Sequence, residues 1–381
     1  MRNVKLAVAV LATVTLMAAC KPEGKSQKVT SYTCPTPHSV VEQLRDIEKG
    51  LRPKNIIVMI GDGMGLEQLS TAWVANHGSL NIDRMPYVGL QRTWCSDYLV
   101  TDSAAAGTAL STGHKTNKGR IATSVEGEEL CTMTEKAKQV GMRTGVAVVC
   151  RLNDATPATF CTHDIHRDNA EAIVADYATC GVDFIAGGGM NYWRGRSDER
   201  DILAEMETGG YTTCTTHEQL MAAKTLPVVG VLAPLELPAA IDSRGDMFRT
   251  MVSKSLDLLD QKGNKGFFLM VEGSCIDDWL HANRVDAAVE EILDFDRVVG
   301  DVLQWAAKDG QTLVVVTADH ATGAMTLVGG DINSGSVEVH FANEGHNGIM
   351  VPFFAYGAGA EQLEGVMENN QLSQQIAAMM Q

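Results

Sequence analysis

The sequence is short of positive charge, and this shortage narrows the range of partners. Its 31 lysines and arginines face 47 aspartates and glutamates, which gives a formal net charge of −16. Nucleic acids and anionic membrane surfaces are bound through basic patches, so we expect neither to be a docking partner. A small anionic ligand would need local cations, supplied by side chains or by metal ions, to bind such a chain.

Internal repeats, heptads and long apolar runs are also missing after the N-terminal segment. Hydrophobic residues make up 45% of the chain and charged residues 20%, which is enough apolar material for a packed core. These features exclude a collagen-like fibre, a coiled coil and a multi-span membrane protein. No linker divides the chain after residue 50, so we expect residues 51–381 to form a single domain.

The cysteines never form a CxxC pair, which argues against a cysteine-rich structural zinc site. The chain has nine of them. With Cys20 set aside, the other eight permit four disulfides after export, and the sequence does not choose among the pairings. Cys275 lies inside an acidic motif and is interpreted as a free buried thiol.

The first nineteen residues have the pattern of an export signal. Arg2 and Lys5 precede an apolar run, and the small residues Ala18 and Ala19 precede Cys20. The segment 16–20 resembles a bacterial lipoprotein signal, which predicts a periplasmic protein anchored to the membrane by lipid on Cys20. Cleavage nearby as an ordinary secretory signal is the alternative. Residues 20–50 are interpreted as a tether followed by a short helix near 40–49.

From residue 55 onward, short β-branched runs alternate with helix-like stretches. Continuous apolar strands separated by helices predict an α/β fold, a three-layer sandwich whose mostly parallel central sheet has helices on both faces. The apolar runs are 55–60, 144–149, 184–186, 266–271, 312–316 and 349–355. The helical patterns are 131–140, 168–179, 247–261 and 286–308. We expect irregular insertions near 190–246 and 325–345.

Acidic residues and histidines follow several of these strands, where open α/β sheets bind ligands. Four carboxylates, Asp62, Glu272, Asp277 and Asp319, would meet at one edge of the sheet. Divalent cations would relieve their mutual repulsion, and histidines nearby fit a zinc environment. Taken singly, each residue also has a structural interpretation, since a strand-end aspartate often caps a helix.

A serine stands at the predicted start of a helix. Ser103 precedes an alanine run in the segment TDSAAAGTA at 101–109, and alanine favours helix strongly. Either Asp102 or Ser103 could serve only as the helix cap. The free N–H groups of a helix N-terminus also form a ready anion site beside a hydroxyl.

Six segments, in order along the chain, resemble the alkaline phosphatases. They are IGDGMG at 60–65, TDSAAAGTA at 101–109, DATPA at 154–158, VEGSCIDDWLH at 271–281, TADH at 317–320 and GHNG at 345–348. The resemblance covers roughly residues 55–360. It implies an exported enzyme that hydrolyses small phosphate monoesters with two zinc ions and one magnesium ion, as a homodimer.

The resemblance also implies a role for each matching residue. Ser103 would be the nucleophile that becomes phosphorylated, and Arg167 would hold two phosphate oxygens. The implied ligands of one zinc ion are Asp277, His281 and His346, and those of the other are Asp62, Asp319 and His320. Asp62, Thr156 and Glu272 would hold magnesium, with Asp154 bound to it through water.

One residue departs from the family pattern. Asp278 stands where family members carry Lys, His or Trp, close to the implied phosphate and magnesium sites. We hypothesise that this added negative charge weakens the affinity for phosphate.

Two other functions remain as alternatives. One is a hydrolase of the same superfamily that acts on phosphodiesters, phosphonates or sulfate esters. The sequence lacks the C/S-x-P-x-R motif of sulfatases. Diesterases of this superfamily generally use threonine and lack the third metal, whereas this sequence has Ser103, Thr156 and Glu272. The other is an acidic cation-binding protein without activity, although the sequence lacks the D-x-D-x-D-G calcium loop.

Overall fold

The computed structural model describes residues 29–261, 263 and 265–380. The export signal, Cys20 and the first part of the tether lie outside the described residues. Within those residues, no helix combines the length and the apolar character that crossing a membrane requires.

The strands are numbered in chain order. They are β1 (Val29–Thr33), β2 (Asn55–Gly61), β3 (Tyr87–Arg92), β4 (Arg143–Arg151), β5 (Phe184–Gly188), β6 (Thr212–Cys214), β7 (Val228–Val231), β8 (Phe267–Gly273), β9 (Thr312–Thr317), β10 (Ala321–Thr322), β11 (Met325–Asp331), β12 (Ser336–Phe341), β13 (His346–Asn347), β14 (Val351–Gly357) and β15 (Gly365–Glu368).

The helices follow the same numbering, with two short 3-10 turns at Asn81–Arg84 and Ala360–Gln362. They are α1 (Leu66–Ala75), α2 (Ser103–Thr112), α3 (Met133–Gln139), α4 (Ala155–Cys161), α5 (Ala170–Cys180), α6 (Met190–Trp193), α7 (Ile202–Thr208), α8 (His217–Ala222), α9 (Met247–Leu259), α10 (Cys275–His281), α11 (Val285–Asp309) and α12 (Asn369–Ala378).

Ten strands form the central sheet of the described chain, in the order β15-β3-β14-β9-β2-β8-β4-β5-β7-β6. The seven strands from β9 to β6 run parallel to one another. Strand β14 runs antiparallel to both of its neighbours, β3 and β9. The prediction of a mostly parallel sheet is therefore confirmed.

Two buried cores lie on opposite faces of this sheet. Ile57 and Met59 of β2 belong to the core that also contains residues of α1, α9 and α11. Ile56, Val58 and Ile60 belong to the other core, with residues of α2, α3, α4 and α5. Because successive strand residues point to opposite faces, a run that is apolar at every position needs a helical layer on each side. The three-layer sandwich is confirmed.

The predicted helix near 40–49 is wrong, since this segment is irregular. Its backbone is bound by the rest of the chain: the N–H of Val41 donates to Asn81 Oδ1 at 2.8 Å, and the carbonyl of Arg45 accepts from the Tyr356 hydroxyl at 2.8 Å. These tertiary contacts override the local helical preference. Upstream, β1 pairs with β12.

The two expected irregular insertions are also wrong. Residues 190–246 carry three helices and the strands β6 and β7, which extend the central sheet. Residues 325–345 carry β11 and β12, which form a separate antiparallel sheet with β1. Strands of three or four residues, and strands with one exposed face, give too weak an apolar pattern to be recognised in the sequence.

Candidate active site

The ends of four neighbouring strands bring the site together. Asp62 follows β2, Glu272 lies in the last part of β8, and Asp154 follows β4. Asp319 and His320 follow β9. Parallel strands end at the same edge of a sheet, so residues far apart in the chain become neighbours there.

Asp277, His281 and His346 form a first cluster. Asp277 Oδ2 lies 3.0 Å from His281 Nε2 and 3.8 Å from His346 Nε2, and the two histidine nitrogens are 3.1 Å apart. Helix α10 places Asp277 and His281 on one face, as their spacing predicts. His346 arrives from β13, which pairs with β10.

Backbone carbonyls orient both histidines of this first cluster. His346 Nδ1 lies 2.9 Å from the carbonyl oxygen of Thr101, and His281 Nδ1 contacts the carbonyl oxygen of Glu344. A ring nitrogen that faces a carbonyl must carry the proton. The Nε2 atoms of both rings then face Asp277, the arrangement that a metal ion requires.

Asp62, Asp319 and His320 form a second cluster. His320 Nε2 lies 3.1 Å from Asp319 Oδ2 and 3.6 Å from Asp62 Oδ1. All three side chains are buried, and these two carboxylate oxygens accept no hydrogen bond from any described residue. Buried carboxylate oxygens without donors fit a cation between them.

Hydrogen bonds fix the form of His320. The hydroxyl of Thr322 donates to Asp277 Oδ1, so its oxygen is left to accept from His320 Nδ1 at 3.2 Å. Burial lowers the pKa of His320 well below its usual value, so the ring is neutral. A neutral ring protonated at Nδ1 presents the lone pair of Nε2 to Asp62 and Asp319, as a zinc ligand does.

Asp154, Thr156 and Glu272 lie beside the second cluster in a looser arrangement. Thr156 Oγ1 is buried without a hydrogen-bond partner among the described residues, and Glu272 is only 1% exposed. By contrast, the ligand atoms of Asp62, Asp319 and His320 all lie within 4.8 Å of one another, as do those of Asp277, His320 and His346.

The pKa values show how much negative charge meets at this edge. Burial, followed by the charges of Asp319 and Asp277, raises the pKa of Asp62 well above its usual value. Burial and the charge of Asp154 do the same for the pKa of Glu272. Burial and the neighbouring Asp277 raise the pKa of Asp319 to about 6. A cation beside carboxylates with such raised pKa values would stabilise their ionised forms.

Asp277 is the exception among these carboxylates. Burial by itself would raise its pKa, but hydrogen bonds from His281 and His346 hold the pKa well below its usual value. The same contact with Asp277 raises the pKa of His281 to about 9. The histidines of the first cluster therefore stabilise the ionised form of Asp277, whereas the neutral ring of His320 adds no positive charge to the second cluster.

Ser103 stands between the two clusters and a pair of charged residues. It is the first residue of α2, and Asp102 caps the helix by accepting from the N–H of Ala105 at 3.0 Å. Ser103 is 4% exposed, and its Oγ lies 3.2 Å from His320 Nε2. Arg167 lies nearby, with Nη1 3.6 Å from Asp102 Oδ2 and Nη2 3.1 Å from Asp154 Oδ1.

Sequence reasoning missed two residues that belong to this site. Thr322 binds both Asp277 and His320, and its only signal was its position two residues after His320. Arg151 pairs with Asp154, with Nη2 and Oδ2 3.2 Å apart. Its position at the end of β4, three residues before Asp154, was the available signal.

The fold and the site together define a class: an α/β sandwich with carboxylate and histidine clusters suited to metal ions at its strand ends, beside a serine at the start of a helix and an arginine. The family model for alkaline phosphatase matches residues 53–340. The chain belongs to the alkaline phosphatase family.

Individual relatives agree with this assignment. Alkaline phosphatase 4 of Bacillus subtilis is 36% identical over 291 residues, which cover 72% of this chain and 62% of that protein. The chain thus spans less than two thirds of that relative. The alkaline phosphatase of Escherichia coli is 28% identical, with 86% of each chain covered.

Solved structures show the same fold. The alkaline phosphatase of the Antarctic bacterium TAB5 has a TM-score of 0.82 and 34% identity, covering 87% of this chain and 98% of its own. A variant of that protein was solved with magnesium bound in a site called M3. A cold-active alkaline phosphatase from a Shewanella species has a TM-score of 0.79 and 29% identity, covering 86% of this chain and all of its own.

Proposed function

We propose that the protein hydrolyses phosphate monoesters through a phosphoserine on Ser103 and releases inorganic phosphate. The observation that carries this proposal is the position of Ser103 Oγ, 3.2 Å from His320 Nε2 and buried beside two clusters of metal-type ligands. Membership of the alkaline phosphatase family supports the same reaction.

Two zinc ions and one magnesium ion complete the proposed site. Asp277, His281 and His346 would hold one zinc ion, and Asp62, Asp319 and His320 the other. Magnesium would lie at Asp62, Thr156 and Glu272, with Asp154 reaching it through water, and the magnesium of the TAB5 variant supports its inclusion. When bound, such ions neutralise the phosphate and lower the pKa of the attacking oxygen.

The side chains of the protein provide positioning and charge. Oγ of Ser103 loses its proton and forms a bond to phosphorus, the bond between phosphorus and the ester oxygen breaks, and the departing alcohol takes up a proton. Water then attacks the phosphoserine, the Oγ–P bond breaks, and phosphate leaves while Oγ regains a proton. Arg167 would bind two phosphate oxygens through its planar guanidinium, which is held in place by Asp102 and Asp154.

The location and assembly belong to the same proposal. The N-terminal sequence supports export to the periplasm, with Cys20 as the attachment point of a lipid anchor. A homodimer is proposed from the family relationship alone. The superfamily alternatives, hydrolysis of phosphodiesters, phosphonates or sulfate esters, are outcomes of the test below.

Replacement of Ser103 by alanine tests the reaction. We expect Ser103→Ala to lower kcat on an aryl phosphate by about three orders of magnitude, because the nucleophile is lost. Ser70→Ala, an exposed helix serine, is the matched control and should keep full activity. Acid quenching with a ³²P-labelled ester should place the label on the peptide that contains Ser103.

Two further measurements complete this test. Chelation should remove zinc, magnesium and activity together, and adding the ions back should restore all three. An aryl phosphodiester and an aryl sulfate, assayed beside the monoester, identify the ester class. Normal turnover in Ser103→Ala, or faster cleavage of the diester than of the monoester, would contradict the proposal.

A further inference from the structure

A cavity of about 350 Å³ lies next to the site, between α10 and the loop at 232–240. Arg151, Glu236 and Asp278 supply its charged groups, and Leu237 and Trp279 supply apolar surface. Its volume is sufficient for a small alcohol group.

Two ion pairs connect this cavity to Arg167. Arg151 Nη2 lies 3.2 Å from Asp154 Oδ2, and Asp154 Oδ1 lies 3.1 Å from Arg167 Nη2. Asp278 follows Asp277 of the first cluster directly on α10. A phosphate held between Ser103 and Arg167 would thus have the cavity within reach of its ester group.

The charges that line the cavity do not cancel. Arg151 uses one guanidinium nitrogen on Asp154, and another lies 3.2 Å from Glu236 Oε1. Asp278 is exposed, and its carboxylate has no hydrogen bond or ion pair with any described residue. The charge of Arg151 also acts on Asp278, but the charges of Asp154, Asp277 and Glu236 outweigh it, so negative charge is in excess at the cavity.

The wall opposite α10 is fixed in place. The N–H of Leu237 donates to the carbonyl oxygen of Val149 at 2.8 Å, and Arg244 Nε donates to that of Pro238 at 2.8 Å. Arg244 is in turn bound to Glu291 of α11, and both side chains are only 1% exposed. A fixed wall means that the cavity exists before a ligand arrives, which reduces the entropic cost of binding.

We propose that this cavity binds the alcohol part of the substrate, and that the preferred alcohol carries a positive charge, as an ammonium or guanidinium group does. Asp278 would pair with that charge, Glu236 would add to the negative potential, and Trp279 and Leu237 would contact its carbon atoms. This inference rests on the proposed monoesterase reaction and specifies its substrate class. A substrate with a second anionic group would be disfavoured by the same carboxylate.

A pair of esters of the same shape tests the proposal. Phosphocholine carries a quaternary nitrogen where 3,3-dimethylbutyl phosphate carries a neutral carbon. The quantity to compare is the ratio of kcat/KM for phosphocholine to kcat/KM for the neutral ester. We expect Asp278→Asn to lower this ratio by about two- to fivefold, the effect of one solvent-exposed charged contact.

Asp257→Asn provides the matched control, since Asp257 is an exposed aspartate on α9 outside the cavity. It should leave the ratio unchanged. Glu236→Gln should have a smaller effect than Asp278→Asn, because Arg151 already matches the charge of Glu236. With the unaltered protein, raising the salt concentration should also lower the ratio, since salt screens exposed charges.

A calorimetric measurement of the affinity of the two esters for metal-loaded Ser103→Ala protein tests the subsite independently of the reaction, because this variant lacks the proposed nucleophile. Phosphocholine should bind more tightly than the neutral ester, and the added Asp278→Asn change should abolish that difference. This result would support the subsite even if the unaltered protein hydrolysed neither ester, and then only the proposed reaction would fail. An equal ratio in Asp278→Asn and the unaltered protein, with no preference in binding, would overturn the subsite and leave the reaction intact.

Discussion

Gly63 shows how closely the backbone passes between the two clusters. Its φ is +71°, a conformation that other residues rarely adopt. A Cβ at this position would lie 2.7 Å from Asp277 Oδ1 and 3.0 Å from Thr322 Oγ1. Its N–H donates to Asp319 Oδ1 at 3.1 Å. The residue thus contacts both clusters without having a side chain.

We expect Gly63→Ala to lower zinc content and activity together. The added carbon would displace Asp277, and disturbing a contact that supports a metal ligand commonly costs about 10- to 100-fold in metal affinity or activity. Metal analysis of the purified variant and its rate on an aryl phosphate are the measurements.

Gly210→Ala separates the steric clash from backbone strain. Gly210 also has a positive φ, +95°, but a Cβ there would meet no atom within 4 Å. It should cost about 1 kcal/mol of stability with no loss of zinc. Equal zinc contents in both variants would show that the space at Gly63 does not matter.

At the scale of single residues, the positions of the acidic site residues could be predicted from the sequence. The groups that hydrogen-bond to the site residues could not. Asp62 and Asp319 were expected at one sheet edge because each follows an apolar run, and the structure brings them together. Thr322 and the carbonyl groups of Thr101 and Glu344 were missed. Their contacts join positions that are distant in the chain, and no local pattern records such contacts.

Among the helices, α11 has an unusual face. Its 25 residues include four buried acidic side chains, Glu290, Glu291, Asp294 and Asp296. Each is bound by a donor from another element: Glu290 by Tyr32, Glu291 and Asp294 by Arg244, and Asp296 by backbone N–H groups of the 3-10 turn at 81–84. Buried charges of this kind persist only when they are paired.

Removal of Arg244 should destabilise the protein strongly. Arg244→Ala leaves Glu291 and Asp294 buried without their cation, which typically costs about 3–5 kcal/mol. The free energy of unfolding, measured by urea titration, gives the effect.

Arg249→Ala is the comparison for this prediction, since Arg249 pairs with Asp301 where both side chains are about 40% exposed. The loss there should be below about 1 kcal/mol. Similar losses in the two variants would mean that the pair formed by Arg244 and Glu291 contributes no more than a surface ion pair.

Helices and strands with many apolar residues were predicted correctly from the sequence. The strands β2, β8 and β9 and the helices α5 and α9 lie within two residues of the expected bounds. The segment near 40–49 failed because its backbone bonds to other parts of the chain. The strands β6 and β7 failed because three or four residues carry little pattern.

At the scale of the whole molecule, the cysteines are dispersed and unpaired. All eight within the described residues are free thiols, and Cys131 alone among them is exposed. The sequence left their pairing open, because spacing does not report spatial distance. As expected for Cys275, that thiol is free and buried.

Thiol labelling of the native protein tests this distribution. We expect a maleimide reagent to modify Cys131 first, and the buried thiols only after unfolding in denaturant, because reaction requires contact with solvent. Peptide mapping by mass spectrometry identifies the sites, and Cys131→Ser should lose the fast phase. Peptides joined by a disulfide in the untreated protein would contradict the free-thiol state.

The antiparallel strand β14 has a consequence for the order of events during synthesis. It lies between β3 and β9, so β3 and β15 join the rest of the sheet only through a strand that is synthesised after all seven parallel strands from β9 to β6. His346 also comes late, after the residues 53–340 that match the family model. A nascent chain therefore holds every other proposed zinc ligand before it can complete the first cluster. Such late, long-range closure delays the completion of the first cluster until after the ligands of the second have been synthesised.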